Sequence, residues 1–211
     1  MNLLSEVHSG GLIWFPEKGY GYVHPVREIV YGEGYFDEYE ARAQNDMSYA
    51  LMDARSSLVA KYTNEIVVDI GTGSCAFIDV HTGHGRPAAG YDINPGTVHR
   101  LIERDQFWNP YERKVVSACF WDTLEHFEDP KEILDCVEGL AFISIPIVEG
   151  PFHCLTSKHF KPGEHLWYFT DKGLIKYMGE CGFVLREENR IEEDIGREEI
   201  GTFVFERMEI V

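Results

Sequence analysis

The stretch Ile66-Val67-Val68-Asp69-Ile70-Gly71-Thr72-Gly73-Ser74-Cys75-Ala76-Phe77 decides the fold. The apolar residues around Asp69 suit a central parallel strand covered on both faces, and that strand stops abruptly in a glycine turn. Gly71 and Gly73 let backbone approach a ligand where a Cβ would intrude. Working outward, Ala88 to Ile93, Val115 to Phe120 and Leu140 to Ile145 read as further strands. Helices at Gly96 to Arg104 and Pro130 to Val137 separate them. Thr170 or Asp171 caps a helix running to Glu180, Gly182 ends it, and Phe183 to Glu187 with Thr202 to Arg207 form a terminal strand pair.

This alternation predicts an α/β fold, a doubly wound and mostly parallel Rossmann-like sheet with an antiparallel terminal strand. Ligands of such sheets sit at the carboxyl ends of the strands, which puts Gly71, Asp92 and Asp122 on one rim. The spacing of Gly71, Gly73 and Ala76, with Asp92 about 20 residues on, formally satisfies the nicotinamide and flavin fingerprint. Asp69, two residues before the first glycine, points elsewhere: D-x-G-x-G resembles class I S-adenosylmethionine-dependent methyltransferases. The resemblance runs from about Val67 to Arg207. Gly90-Tyr91-Asp92-Ile93-Asn94-Pro95 is similar to the end of that family's second strand. There Asp92 would accept hydrogen bonds from both ribose hydroxyls of the cofactor, with Ile93 beside it. Leu124-Glu125-His126 followed by Asp129-Pro130 resembles the family's L-E-H and D-P segment, and Gly182-Phe183 its G-F before the sixth strand. Short methyltransferases encoded by tailed phages show a similar overall pattern. The resemblance implies S-adenosylmethionine as cofactor, held by Asp69, Gly71, Gly73, Asp92, Ile93 and Asp122.

Two departures from the family stand out. Its third glycine is Cys75 here, and the distance from Asp92 to Val115 leaves one helix and a loop with Trp108, Asn109 and Pro110, so a regular third strand is missing. Adenine recognition is then altered: Trp108 or Trp121 could stack on the base, or Trp108 merely covers the sheet edge.

The composition bounds the partners. With 36 acids against 19 bases and a formal charge of −17, the surface repels duplex nucleic acid. The acidic run Arg186 to Glu199 reads as a solvated surface. Five widely spaced cysteines without a C-x-x-C pair argue against a disulfide framework or a zinc ribbon. The longest apolar stretch, Leu140 to Val148, is far below the roughly 20 residues a bilayer span needs, and a cytoplasmic protein is expected. The chain divides into an N-terminal extension and helix, residues 1–61, acting as cap or lid, and a catalytic domain over 62–211. Up to about residue 36 the glycines predict turns and irregular extended segments, followed by a helix from Phe36 to Lys61. The aromatics Trp14, Phe15, Tyr20, Tyr22, Tyr31, Tyr35 and Phe36 line a substrate pocket or form a packed cap.

Asp122, Glu125 and His126 stand at i, i+3 and i+4, so on a helical turn the three side chains point the same way. Two carboxylates and an imidazole suit Mg²⁺, Mn²⁺ or Zn²⁺, with a further ligand from His153, His159 or His165. The spacing resembles the metal-binding E-x-x-E-H of small-RNA 3′-end 2′-O-methyltransferases and of ubiquinone-biosynthesis O-methyltransferases. Asp122 replaces the first Glu, and Glu164-His165-Leu166-Trp167 is similar to the acid-His segment of the RNA enzymes. The expected metal set is therefore Asp122, Glu125, His126 and His165. The alternative is that Glu125 and His126 only tie the turn to neighbouring loops. With or without a metal, His126, His159 and His165 are the candidate bases. The reading is O-methylation of a small molecule or a terminal ribose. Its alternatives are a non-catalytic module or partner subunit that binds the cofactor, and, penalised by Asp69, a nicotinamide-dependent oxidoreductase.

Overall fold

A computed structural model describes residues 5–24 and 46–208. Its main sheet holds six strands: β4 (Val67–Ile70), β5 (Ala88–Tyr91), β6 (Val115–Trp121), β7 (Val137–Pro146), β9 (Phe183–Asn189) and β10 (Ile200–Arg207). They lie in the order β5-β4-β6-β7-β10-β9. The first four are parallel, and β10 runs antiparallel to both β7 and β9. All four residues of β4 are buried, as a strand covered on both faces requires. Around the sheet pack α1 (Asp46–Tyr62), α2 (Ala76–Gly83), α3 (Pro95–Glu103), α4 (Pro130–Leu134), α5 (Pro151–Thr156) and α6 (Asp171–Glu180). Thr170 caps α6 by accepting from Gly173 N, and Gly182 leaves the helix with a left-handed φ of 87°. The helix expected to reach Val137 stops at Leu134, because Val137 already pairs with Val115 as the first rung of β7.

The expected gap at the third strand is real. Beyond β5 there is one parallel bridge, Gly90 to Phe107, with Gly90 N donating to Gln106 O and Trp108 N donating to Gly90 O. Trp108 covers this edge: its indole donates to Arg113 O, and the Arg113 guanidinium stacks 3.6 Å from the ring centroid.

The N-terminal segment corrects the sequence reading. It builds strands, not irregular turns: β1 (Glu6–Val7), β2 (Leu12–Phe15) and β3 (Tyr20–Val23), joined antiparallel by β8 (Trp167–Phe169) from far along the chain. The glycines mislead because Gly21 is a strand residue opposite Trp14, where a Cβ would sit 2.7 Å from the indole. Its role is to make room for a cross-strand ring, not to break a strand. Tyr20 packs against Phe169 and Tyr177, so Trp14, Phe15, Tyr20 and Tyr22 are packed in and around this second sheet and none borders the main cavity. Tyr31, Tyr35, Phe36 and the helix start at Phe36 lie outside the described residues. The expected boundary at residue 61 is crossed by this sheet, which ties residues 6–23 to 167–169.

The second sheet meets α6 at a very close approach, a Cβ on Gly173 falling 1.9 Å from Gly19 O. Gly173→Ala should therefore cost about 2–4 kcal/mol in urea unfolding, since backbone must move. Gly179→Ala on the same helix meets nothing within 4 Å and should gain about 0.5–1 kcal/mol. Equal effects of the two substitutions would contradict this packing.

Candidate active site

A cavity of about 630 Å³ opens at the carboxyl ends of β4, β5 and β6, a size typical of small-molecule sites. Its walls include Asp69, Gly71, Gly73, Asp92, Ile93 and Asp122. Glu125, His126, His159 and His165 line it as well, together with Leu51, Met52 and Arg55 of α1. The chain therefore brings every site residue expected from sequence to one cavity. His153 lies outside: its Nδ1 accepts from Glu149 N, and its Nε2 is 3.5 Å from Glu199.

The glycine turn is built from left-handed residues, Gly71 at φ 73° and Gly73 at φ 54°. Cys75 keeps the same conformation at φ 65° although it carries a side chain, a strain of about 1–2 kcal/mol. Its thiol is buried beside Phe77 and Ile78 in the core and does not line the cavity. Burial pushes that thiol up to about 11, which leaves it no nucleophilic role. Gly73 N donates to one Asp92 oxygen and Asn94 N to the other, both at 2.8 Å, so the carboxylate is aimed and each oxygen keeps acceptor capacity.

Asp122 departs from the expected chelate. Its backbone is left-handed at φ 55°, and the turn that follows is a 3-10 segment, Leu124–His126. Arg197 binds Asp122 through two N–H groups at 2.8 and 3.0 Å, and Arg55 adds a third at 2.9 Å. Both guanidinium groups also pair with Glu192, which is wholly buried. Burial alone would raise the Asp122 carboxyl, but Arg55 and Arg197 outweigh it and hold it at about 2. Those contacts use three of the roughly four acceptor positions of the carboxylate, and among the described residues the side chains that gather as possible ligands do not include Asp122. Sequence reasoning missed Arg55, Arg197 and Glu192. Glu192 lay in the run read as solvated; of the acids in that run Glu188, Glu193, Asp194 and Glu198 are exposed, whereas Glu192 is buried.

Glu125, His126 and His165 do come together, each offering a ligand atom within 4.8 Å of the others. His126 Nδ1 lies 2.8 Å from Glu164 O, a bond in which only the ring can donate. The proton is thus on Nδ1, and Nε2 is left with a bare lone pair 4.0 Å from Glu125 Oε1. Burial lowers the His126 pKa and takes His165 down to about 3, so both rings are neutral at pH 7. Burial, helped by Asp122, pushes Glu125 well above the carboxylate range. Burial also lowers His159, whose Nε2 faces Glu198 O at 3.3 Å.

Among the described residues, the buried side-chain polar atoms lacking a partner are Thr72 Oγ1, Trp121 Nε1 and both oxygens of Glu125. All belong to residues of this one cavity, the pattern expected where a polar ligand supplies the missing bonds. Trp121 also has Arg55 over its ring at 4.9 Å, whereas Trp108 is absent from the wall.

The electrostatics of β4 give a pH test. Burial raises Asp69 from 3.8 to about 7, so the folded chain keeps a proton that the unfolded chain loses. Stability from this group is full below pH ~4 and is lost as pH rises towards 7. Asp69→Asn removes that loss: variant and parent should unfold alike at low pH and diverge in the variant's favour by about 3–4 kcal/mol near pH 7.5. Parallel stability curves would mean that folding leaves the Asp69 carboxyl unshifted.

Comparison with known proteins agrees with this geometry. A family model described as a methyltransferase domain matches residues 43–188. No curated protein matches the sequence. Among solved structures, magnesium protoporphyrin IX methyltransferase from Synechocystis PCC 6803, with bound SAH, aligns at TM-score 0.60 and 14% identity over 84% of this chain and 96% of that one. The 1,6-didemethyltoxoflavin-N1-methyltransferase of Burkholderia thailandensis, with its substrate and S-adenosylhomocysteine bound, aligns at TM-score 0.61 and 13% identity over 97% and 99%. An O-methyltransferase family protein of the same organism aligns at 0.59 and 12% over 85% and 61%. At such identities the likeness is one of fold. The family match covers most of the chain, which belongs to the methyltransferase-domain family and is a class I S-adenosylmethionine-dependent methyltransferase.

Proposed function

We propose that this chain methylates an oxygen atom of a small molecule or of a terminal ribose. The observation that carries the reading is the bare Nε2 of His126, uncharged inside the cavity and backed by Glu125 and His165. The cofactor-side residues fit the group: Asp92 offers acceptors to ribose hydroxyls, Ile93 an apolar surface, and the Gly71–Gly73 turn a close backbone approach. Bound there, S-adenosylmethionine supplies an electrophilic methyl group on a sulfonium. The protein's share is to hold a hydroxyl in line and receive its proton at His126 Nε2, a task that suits an uncharged imidazole. His165, 4.8 Å away with its ring at 89°, orients His126, and His159 is the further candidate at the cavity wall.

A divalent ion, Mg²⁺, Mn²⁺ or Zn²⁺, is the second reading, favoured by the partnerless oxygens of Glu125. Its ligands would be Glu125, His126 and His165 without Asp122. Such an ion lowers the pKa of a bound hydroxyl. His126 would then be a ligand, leaving proton transfer to His159. A module that binds the cofactor without catalysis is the alternative class. The Cys75 departure from the family's third glycine lends it little support, since that side chain packs in the core. The acidic surface argues against duplex nucleic acid as a partner. The five cysteines are free and buried, which suits a cytoplasmic setting. Among the described residues no helix is long and apolar enough to cross a membrane.

Calorimetric titration with S-adenosylhomocysteine tests the cofactor half: Asp92→Ala should weaken binding at least about tenfold through two lost charge-assisted hydrogen bonds. Unchanged affinity would sink the assigned ribose site. Metal content of protein purified without a His tag tests the second reading, with loss in Glu125→Gln expected if the ion is real. Equal content in both proteins would count against those ligands.

A further inference from the structure

The stretch 192–199, most of the connection between β9 and β10, touches three walls of the cavity. At its start Glu192 pairs with Arg55 of α1 at 2.7 Å. In its middle Arg197 grips Asp122. At its end Ser157 Oγ donates to Glu199 Oε2 at 2.6 Å, Lys158 pairs with Glu198 at 3.1 Å, and His159 Nε2 faces Glu198 O. Ile147 N donates to Glu199 O at 2.8 Å, which fixes that end to the chain leaving β7. Left-handed residues Gly196, at φ 97°, and Glu199, at φ 65°, shape the path. A hairpin between β9 and β10 needs none of this, because two residues suffice to join antiparallel strands.

We propose that residues 192–199 are a positioning strap that couples the cofactor half of the cavity to its histidine half, with Arg197 and Glu199 as the positioning residues. The inference rests on the reading that the cavity binds S-adenosylmethionine. A ligand that settles Asp122 and its guanidinium partners also settles Arg197. Two residues further on, Glu199 holds Ser157, whose Oγ in turn accepts from His159 N at 3.1 Å. Filling the cofactor half thereby orders the segment that carries His159 before a substrate arrives. Coupling of this kind needs a demonstrated response at the second site.

Hydrogen exchange followed by mass spectrometry, with and without S-adenosylhomocysteine, measures that response. In the parent protein the ligand should slow exchange both in peptides covering 71–94 and in peptides covering 154–160. Glu199→Ala and Ser157→Ala should keep the ligand affinity within about threefold yet lose the slowing at 154–160, a change of about tenfold in protection. Glu199→Gln retains an acceptor for Ser157 and should restore it, which a purely structural role would not predict. Slowing confined to 71–94 in the parent, or slowing at 154–160 that survives in both Glu199→Ala and Ser157→Ala, overturns the strap while leaving the cofactor site intact. Failure of the parent to bind S-adenosylhomocysteine in calorimetry overturns both.

Discussion

Two guanidinium groups sharing two carboxylates at the end of β6 hold the working parts of this molecule in place. Arg55 is almost wholly buried, Glu192 entirely so, and Asp122 is partly buried with its backbone in the left-handed region. Each guanidinium spans both acids, so no charge in the array lacks an opposite neighbour. Taking Arg55 or Glu192 away leaves the buried array one charge out of balance, which costs up to about 3–5 kcal/mol. The array joins α1 to the end of β6 and to the β9–β10 connection, which the main sheet otherwise links only through the intervening strands β7 and β10. Arg55 adds a cation–π contact to Trp121, so the apolar floor of the cavity is tied to the same centre.

Around that centre the cavity divides by charge. On one side Asp92 is aimed by two backbone N–H groups at a carboxylate geometry suited to hydroxyls. On the other, burial lowers His126 and His165 and raises Glu125, in each case favouring the uncharged form. Asp122, on the same cavity wall, is fixed as an anion by its arginines. One fold thus keeps ionised and neutral carboxyls near each other by pairing one and desolvating the other.

The parts legible in the sequence were those set by local rules. The β4 strand, its glycine turn, the Asp92 position, the α6 cap and the missing third strand follow from periodicity, left-handed glycines and segment length. Glu125, His126 and His165 were found because family spacing pointed to them. What escaped depends on partners far apart in sequence. Glu192 reads as one more acid in an acidic run until Arg55, 137 residues away, is folded against it. The Asp122 chelate failed for the same reason, since a helical-turn argument cannot see Arg197 arriving from the far strand pair. The N-terminal strands were hidden because β8, which completes their sheet, lies more than 140 residues later and because Gly21 serves packing and not turning.

The cysteines of this chain carry a practical consequence. Cys181 belongs to the larger core, Cys75 and Cys119 to the core on the other side of the main sheet, and Cys154 to the core of the second sheet. Each is free and buried, so none reacts with a thiol reagent until its own region opens. The alkylation rate at each position therefore times the opening of one packed unit. The chain carries its own set of unfolding clocks, and no label need be engineered into it.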